Sequence, residues 1–318
     1  MSTIDDTVLD RISKTRQSYE NILSSLFERD AILLGMTIGP ALALMILAAF
    51  IPVIWALNLS FHEASALSPT WTWVGMENYT ALLESQSYWA AFKRSLIFGF
   101  GSVGLQLIVG VGVALMLSRE FRGVILARAM IFLPYLIPTV VVALVFRLML
   151  NGSYGILNVF LMDIGILNKP ISWLSNPDLA MGSLIVLNSW KFAIFITIMV
   201  LAKLQSIPQQ FYEAATMNGA GPLRKFRDVT FPQIKGVILL VLLLRGIWMF
   251  NKFDIIWVAT GGGPGDETNT LPVYIYETAF LNFDLGTAGA IAGTLFVFLG
   301  FGAIVYFAGF SPAEEVGR

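Results

Sequence analysis

Residues 236–258, GVILLVLLLRGIWMFNKFDIIWV, hold three charged side chains among 23 positions that are otherwise almost all aliphatic or aromatic. A helix of that length reaches across about 30 Å of hydrocarbon, whereas a buried strand needs only about 4–8 such residues. Comparable runs fall at 31–61, 95–118, 129–150, 181–202 and 286–310. Composition agrees, with 56% of the 318 residues hydrophobic and 13% charged, against roughly 45–50% and 25% in a soluble domain. The reading is an all-α, polytopic membrane protein with six transmembrane helices. It divides into an N-terminal segment 1–30, a membrane domain 31–310 and a tail 311–318, with both ends on one side.

Several classes of function drop out early. Cysteine is absent and His62 is the only histidine, which excludes disulfides and Cys/His metal sites, so no metal is expected. A net charge of −1 with no basic run gives no reason to expect nucleic acid. Residues 1–30 are too long and too mixed in charge for a signal-peptide n-region, so the N-terminus is expected to be retained. Within it Val8, Ile12, Tyr19, Ile22, Leu23, Leu26 and Phe27 recur at roughly helical spacing, which fits an amphipathic helix; a loosely ordered tail is the alternative.

Orientation follows from Lys and Arg. Thirteen of the 20 lie at Arg11, Lys14, Arg16, Arg29, Arg119, Arg122, Arg128, Lys203, Arg224, Lys225, Arg227, Lys235 and Arg318, which makes that side, with both termini, cytoplasmic. Lys93 and Arg94 run against the rule and read as snorkelling to headgroups. Arg147, at the outer end of the third run, reads as another such anchor. The small residues of 99–112, GFGSVGLQLIVGVG, suit close helix packing.

Between the fourth and fifth runs, residues 211–235 read FYEAATMNGAGPLRKFRDVTFPQIK. Pro208 suits a first helical turn, and Gln209 to Asn218 contains no breaker. Gly219, Gly221 and Pro222 then stop the helix, and a second starts at Pro222 and runs into the fifth span. This loop, about 203–235, is a short helix pair; either it docks on a partner or it is merely solvated.

Glu213-Ala214-Ala215, three residues, Gly219, nine residues, then Val229-x-Phe231-Pro232 resembles the EAA motif of permease subunits in binding-protein-dependent ABC importers. The family pattern ends Ile-x-Leu-Pro, so Val229 and Phe231 are apolar departures that keep the spacing. The flanks WKFAIFITIMVLAKLQSIPQQFYEAA and FNKFDIIWVATGGGPGDETNTLPVYIYETAF are similar to the carbohydrate branch, and within it to the larger maltose-permease-type subunit. The resemblance covers about residues 30–310 and implies a bacterial inner-membrane permease acting with a second permease subunit, two ATPase subunits and an extracytoplasmic substrate-binding protein. It implies that the helix around Glu213 is a coupling helix seated on an ATPase. Glu213, Ala214, Ala215, Gly219 and Pro232 would form the coupling set. No G-x-x-x-x-G-K-[ST] occurs, and GGGPGDET at 261–268 has no lysine for a phosphate, so ATP and Mg belong to the separate ATPase and this chain holds no catalytic residue.

Charges within hydrocarbon need a reason, since insertion scales put each at roughly 2.5–3.5 kcal/mol. Asn188, Lys191, Phe192 and Phe195 share one face of the fourth span, and Arg245, Trp248, Met249 and Lys252 one face of the fifth. Rings beside hydrogen-bond donors suit a carbohydrate path, and by the resemblance these faces touch substrate. Their positive charge, with Asp254 the nearby acid, points to an acidic oligosaccharide or a sugar or polyol phosphate. The alternative is a neutral sugar, with Arg245 paired to Asp254 or a backbone carbonyl and Lys252 snorkelling outward. An ion-coupled secondary transporter would need a mid-membrane acid or sodium site, and an enzyme a nucleophile with its base; apart from Asp254 neither is offered. The segment 259–285 is either a contact for the binding protein or a flexible Gly-rich loop.

Overall fold

The computed structural model describes residues 35–310; the amphipathic helix expected within 1–30 and the tail 311–318 lie outside the described residues. Helix α1, Gly35–Leu59, belongs to a unit that ends at Asn58, and the second unit begins at Leu59. In that second unit a pair of two-residue strands comes first, β1 (His62–Glu63) against β2 (Thr72–Trp73), antiparallel. Helices α2 (Glu77–Glu84), α3 (Gln86–Leu117), α4 (Val124–Leu136), α5 (Thr139–Met149) and α6 (Ile156–Asp163) follow. After them come α7 (Pro177–Gln205), α8 (Gln209–Met217), α9 (Pro222–Lys225), α10 (Phe231–Phe250), α11 (Asp254–Thr260), α12 (Leu271–Tyr276) and α13 (Leu285–Gly309). Helix α9 joins α10 through a wider π turn at Phe226–Thr230, so that 222–250 is one continuous helical rod.

Helices α3, α7 and α13 start where a polar side chain replaces a missing backbone acceptor. The Ser85 hydroxyl accepts from Tyr88 N–H at 3.3 Å at the start of α3. Asn176 accepts from Asp178 N–H at 2.9 Å before Pro177 in α7, and Asp284 accepts from Thr287 N–H at 3.0 Å before α13. Helices α3 and α7 pack against each other. At their closest approach a Cβ on Gly110 would stand 2.7 Å from Ile196 Cβ and 2.9 Å from the Ala193 carbonyl oxygen. The Thr197 hydroxyl donates to the Gly110 carbonyl at 3.2 Å across the same seam. Gly110→Val is therefore expected to force the helices apart and lower stability by ~1–3 kcal/mol, read as a drop in the melting temperature of the purified protein in detergent.

Two apolar runs are not single spans. The third, read as one helix over 129–150, is the pair α4–α5, bent by 94°. Ile137 takes an extended conformation (φ −74°, ψ 131°) because it precedes Pro138, and the helix cannot pass through that junction. The fifth, read as continuous over 236–258, ends at Phe250; Asn251 leaves the helix, and α11 starts again at Asp254. The described residues thus hold five helices long and apolar enough to cross a membrane, plus the bent pair.

Three apolar cores hold the second unit together. Ala114, Ile196, Val200, Leu204, Ile234 and Val241 pack α3, α7 and α10 near α8. Phe98, Val142, Leu184, Leu187, Ile255 and Ile256 join α5 and α11 to α3 and α7. Tyr88, Phe250, Leu271, Ala290, Ile291 and Leu295 link α12 and α13 to α3 and α10. The segment 259–285 is folded into the last two, with Leu271 and Val273 wholly buried, so the flexible-loop reading of it is corrected. Ser95 Oγ accepts from Leu271 N–H at 2.7 Å, and Thr260 and Thr268 hydroxyls lie 2.7 Å apart.

Candidate functional site

The two polar faces meet at the junction of α3, α7 and α10. The Arg245 guanidinium lies over three rings, 5.1 Å from the centroid of Phe192, 5.9 Å from Phe195 and 5.6 Å from Trp248. Lys252 Nζ stands 4.4 Å and Lys191 Nζ 5.3 Å from the Phe192 centroid, so one ring serves three cations. Phe195 and Trp248 touch edge to face at 5.1 Å, and Asn188 Nδ2 lies 2.9 Å from the Met249 sulfur. All eight residues singled out on these faces therefore lie in one cluster.

Their partners differ from the alternatives raised by the sequence. Arg245 does not pair with Asp254; its Nε donates to Gln106 Oε1 at 2.8 Å. Asp254 instead holds Lys252 at 2.9 Å, across the gap between α10 and α11. Lys191 donates its ammonium to the carbonyls of Pro134 and Ile137 at the end of α4. A helix C-terminus carries partial negative charge on unpaired carbonyls, so the bend in α4–α5 creates the acceptors that Lys191 satisfies. Among the described residues Arg245 has no carboxylate partner, and the cluster holds three cations against one acid.

The polar loop folds as a helix, a break and a helix. Gly219 takes φ +71°, Ala220 N–H donates to the Ala215 carbonyl and Gly219 N–H to the Thr216 carbonyl, each at 2.9 Å. That pair of bonds is the Schellman stop, which a left-handed glycine permits. Pro232, near the start of α10, lacks an N–H for the preceding turn; the wider π turn just before it, closed by Phe231 N–H to the Phe226 carbonyl, accommodates it. Glu213, Ala214 and Gly219 are exposed and Ala215 is half-buried, and around them Phe211, Met217 (89% exposed) and Leu223 (81%) form an apolar fringe. Tyr212 reaches back to the bundle, its hydroxyl 3.1 Å from Thr230 Oγ1. Tyr212→Phe is expected to loosen α8 by ~1 kcal/mol, seen as faster amide exchange in 209–217 with the bundle unchanged.

The opposite end is more structured than snorkelling predicts. Arg94 meets Glu267 at 3.4 Å, and Arg147 lines a polar cleft of about 280 Å³ with Asn151, Ser172, Ser175 and Thr260. Glu277 accepts from Asn269 Nδ2 at 2.6 Å; burial pushes its carboxyl above the usual range and the charge of Asp266 adds to this, against the Asn269 bond.

Residues 106–310 match the family of binding-protein-dependent transport system inner membrane components. The chain belongs to that family. A trehalose/maltose transport system permease protein from Thermococcus litoralis is 35% identical over 286 residues, covering 90% of this chain and 96% of that one. A sulfoquinovosyl glycerol transport system permease protein from Agrobacterium fabrum is 32% identical, covering 84% and 86%. In fold, the chain is similar to a chain of a bacterial ABC transporter that imports the acidic polysaccharide alginate (TM-score 0.74, 24% identity, 89% and 98% coverage). Membership makes this a membrane component of a transport system, in keeping with the spans.

Within this transport component, three contributors escaped the sequence reading. Gln106 sits in the Gly-rich stretch of α3, where it passes for a packing residue. Tyr212 and Thr230 anchor α8, and each is a single polar side chain with no local pattern around it. Only the placement of α3 and α10 brings out their roles.

Proposed function

We propose that the chain is one permease half of an ATP-driven carbohydrate importer, with acidic sugars as its substrate class. The observation that carries the substrate class is the cluster of Lys191, Arg245 and Lys252 around Phe192 with Asp254 as its one acid. Aromatic faces suit the C–H faces of a sugar ring, and an excess of buried cations favours a carboxylate or phosphate. Relatives named for sugar transport support the carbohydrate, and the alginate importer offers a fold precedent for an acidic one. The helix α8, with Glu213 and its apolar fringe, is the docking surface for a separate ATPase that holds ATP and Mg. A second permease subunit completes the path, two ATPase subunits drive it, and a substrate-binding protein delivers sugar at the end bearing 259–285. The loop 203–235 and both termini face the cytoplasm. Rocking of the rods between two packed states then alternates access.

A neutral sugar is the second reading, favoured by the bonds that occupy Lys191 and Lys252 and leave Arg245 as the one cation of the cluster held by neither an acid nor a backbone carbonyl. Reconstitution of the chain with its second permease, ATPase and binding protein separates the two. The expected result is ATP-dependent uptake that prefers a uronate oligosaccharide to a neutral one of equal length. Equal uptake of both removes the acidic assignment, and uptake without the ATPase removes the importer.

A further inference from the structure

Three N–H donors converge on one thioether. Asn188 Nδ2 lies 2.9 Å, Gln106 Nε2 3.3 Å and Arg245 Nη2 3.5 Å from the Met249 sulfur. Gln106 and Asn188 are wholly buried and Arg245 is 2% exposed. A thioether is a weak, uncharged acceptor, so these donors have given up water for little return. Asn188 Oδ1, an acceptor, has no hydrogen bond, so that amide is engaged through its donor end alone, on the sulfur. Around the sulfur the site presents donors, one of them a guanidinium whose oxygen partner is a neutral amide.

A carboxylate oxygen at the position of that sulfur would take a charge-assisted bond from Arg245 and amide bonds from Gln106 and Asn188. Met249 lies one turn beyond Arg245 on α10, and its unbranched, three-torsion side chain can swing aside without moving the backbone. We infer that the Met249 thioether holds the oxyanion position of a subsite made by Gln106, Asn188 and Arg245, and that the carboxylate of an acidic sugar displaces it during passage. This rests on the acidic-sugar reading above and adds to it a contribution from α3 and a side chain that closes the subsite when no sugar is present.

The chain has no cysteine, so Met249→Cys gives this subunit a single thiol. In the reconstituted importer under turnover, a diglucuronate is expected to slow methanethiosulfonate labelling of that thiol at least fivefold, and a matched neutral disaccharide less than twofold. Gln106→Glu, which supplies Arg245 with an internal carboxylate, is expected to raise the KM for the diglucuronate at least tenfold; it decides the matter alone if the cysteine variant does not assemble. Labelling that both sugars slow equally, or neither slows, in a complex whose wild type carries the diglucuronate overturns the subsite and leaves the substrate class standing. An unchanged KM in Gln106→Glu does the same. Wild-type uptake of neutral sugars alone overturns the substrate class itself.

Discussion

Arg245→Ala is expected to lower kcat/KM for uptake of a uronate oligosaccharide at least a hundredfold and to change uptake of a neutral one by less than threefold. The guanidinium is 2% exposed and lies over Phe192, Phe195 and Trp248, with Gln106 as its oxygen partner. A hydrogen bond to a charged group contributes about 1.5–3 kcal/mol, and removing one partner of a buried ion pair costs about 3–5 kcal/mol. At 1.4 kcal/mol for each factor of ten, that difference exceeds a hundredfold. Arg245→Lys keeps the charge and loses the planar fork, so its loss should be closer to tenfold. Initial rates in proteoliposomes, with each variant at matched assembly, measure this. A fall of the same size for both sugars would make Arg245 a structural residue at the α3–α10 contact.

Gly219→Val is expected to abolish ATP-driven uptake almost completely, whereas Gly219→Asn should keep it within a few fold. No atom lies within 4 Å of the position a Cβ would take, so sterics with neighbours are not the issue; the backbone at φ +71° is. A side chain held there costs roughly 1–2 kcal/mol, more when β-branched, while asparagine visits that region readily. Valine would release the two bonds that end α8 and change the angle at which Glu213 and Leu223 present themselves. Co-purification of the ATPase with each variant, together with uptake, tests the assignment of this loop. Full activity in the valine variant would remove α8 as the coupling element.

The polar loop was legible because its signals are local. Pro208 opens a helix, Gly219 and Gly221 end it and Pro222 opens the next, whatever surrounds them. The third run shows the opposite case. Pro134 and Pro138 stood in plain view, yet unbroken hydrophobicity dominated the reading, and periodicity carries no information about a change of axis. In the fifth run Lys252 falls on a face read from one continuous helix, although with Asn251 and Asp254 it forms a polar cluster at the end of an apolar run, which is also a break signal. The faces through Asn188 and Arg245 followed from helical spacing alone. What they touch did not, because Gln106 arrives from a helix some 80–140 residues away in sequence.

The grip of Lys191 on Pro134 and Ile137 has a mechanical consequence. The elbow of the bent pair is fastened by a neighbour's side chain rather than by its own backbone, so α7 cannot slide without pulling the elbow along. Helix α7 leads into α8 through a three-residue turn, so a displacement of α8 along the axis of α7 would be felt at the elbow through the Lys191 ammonium.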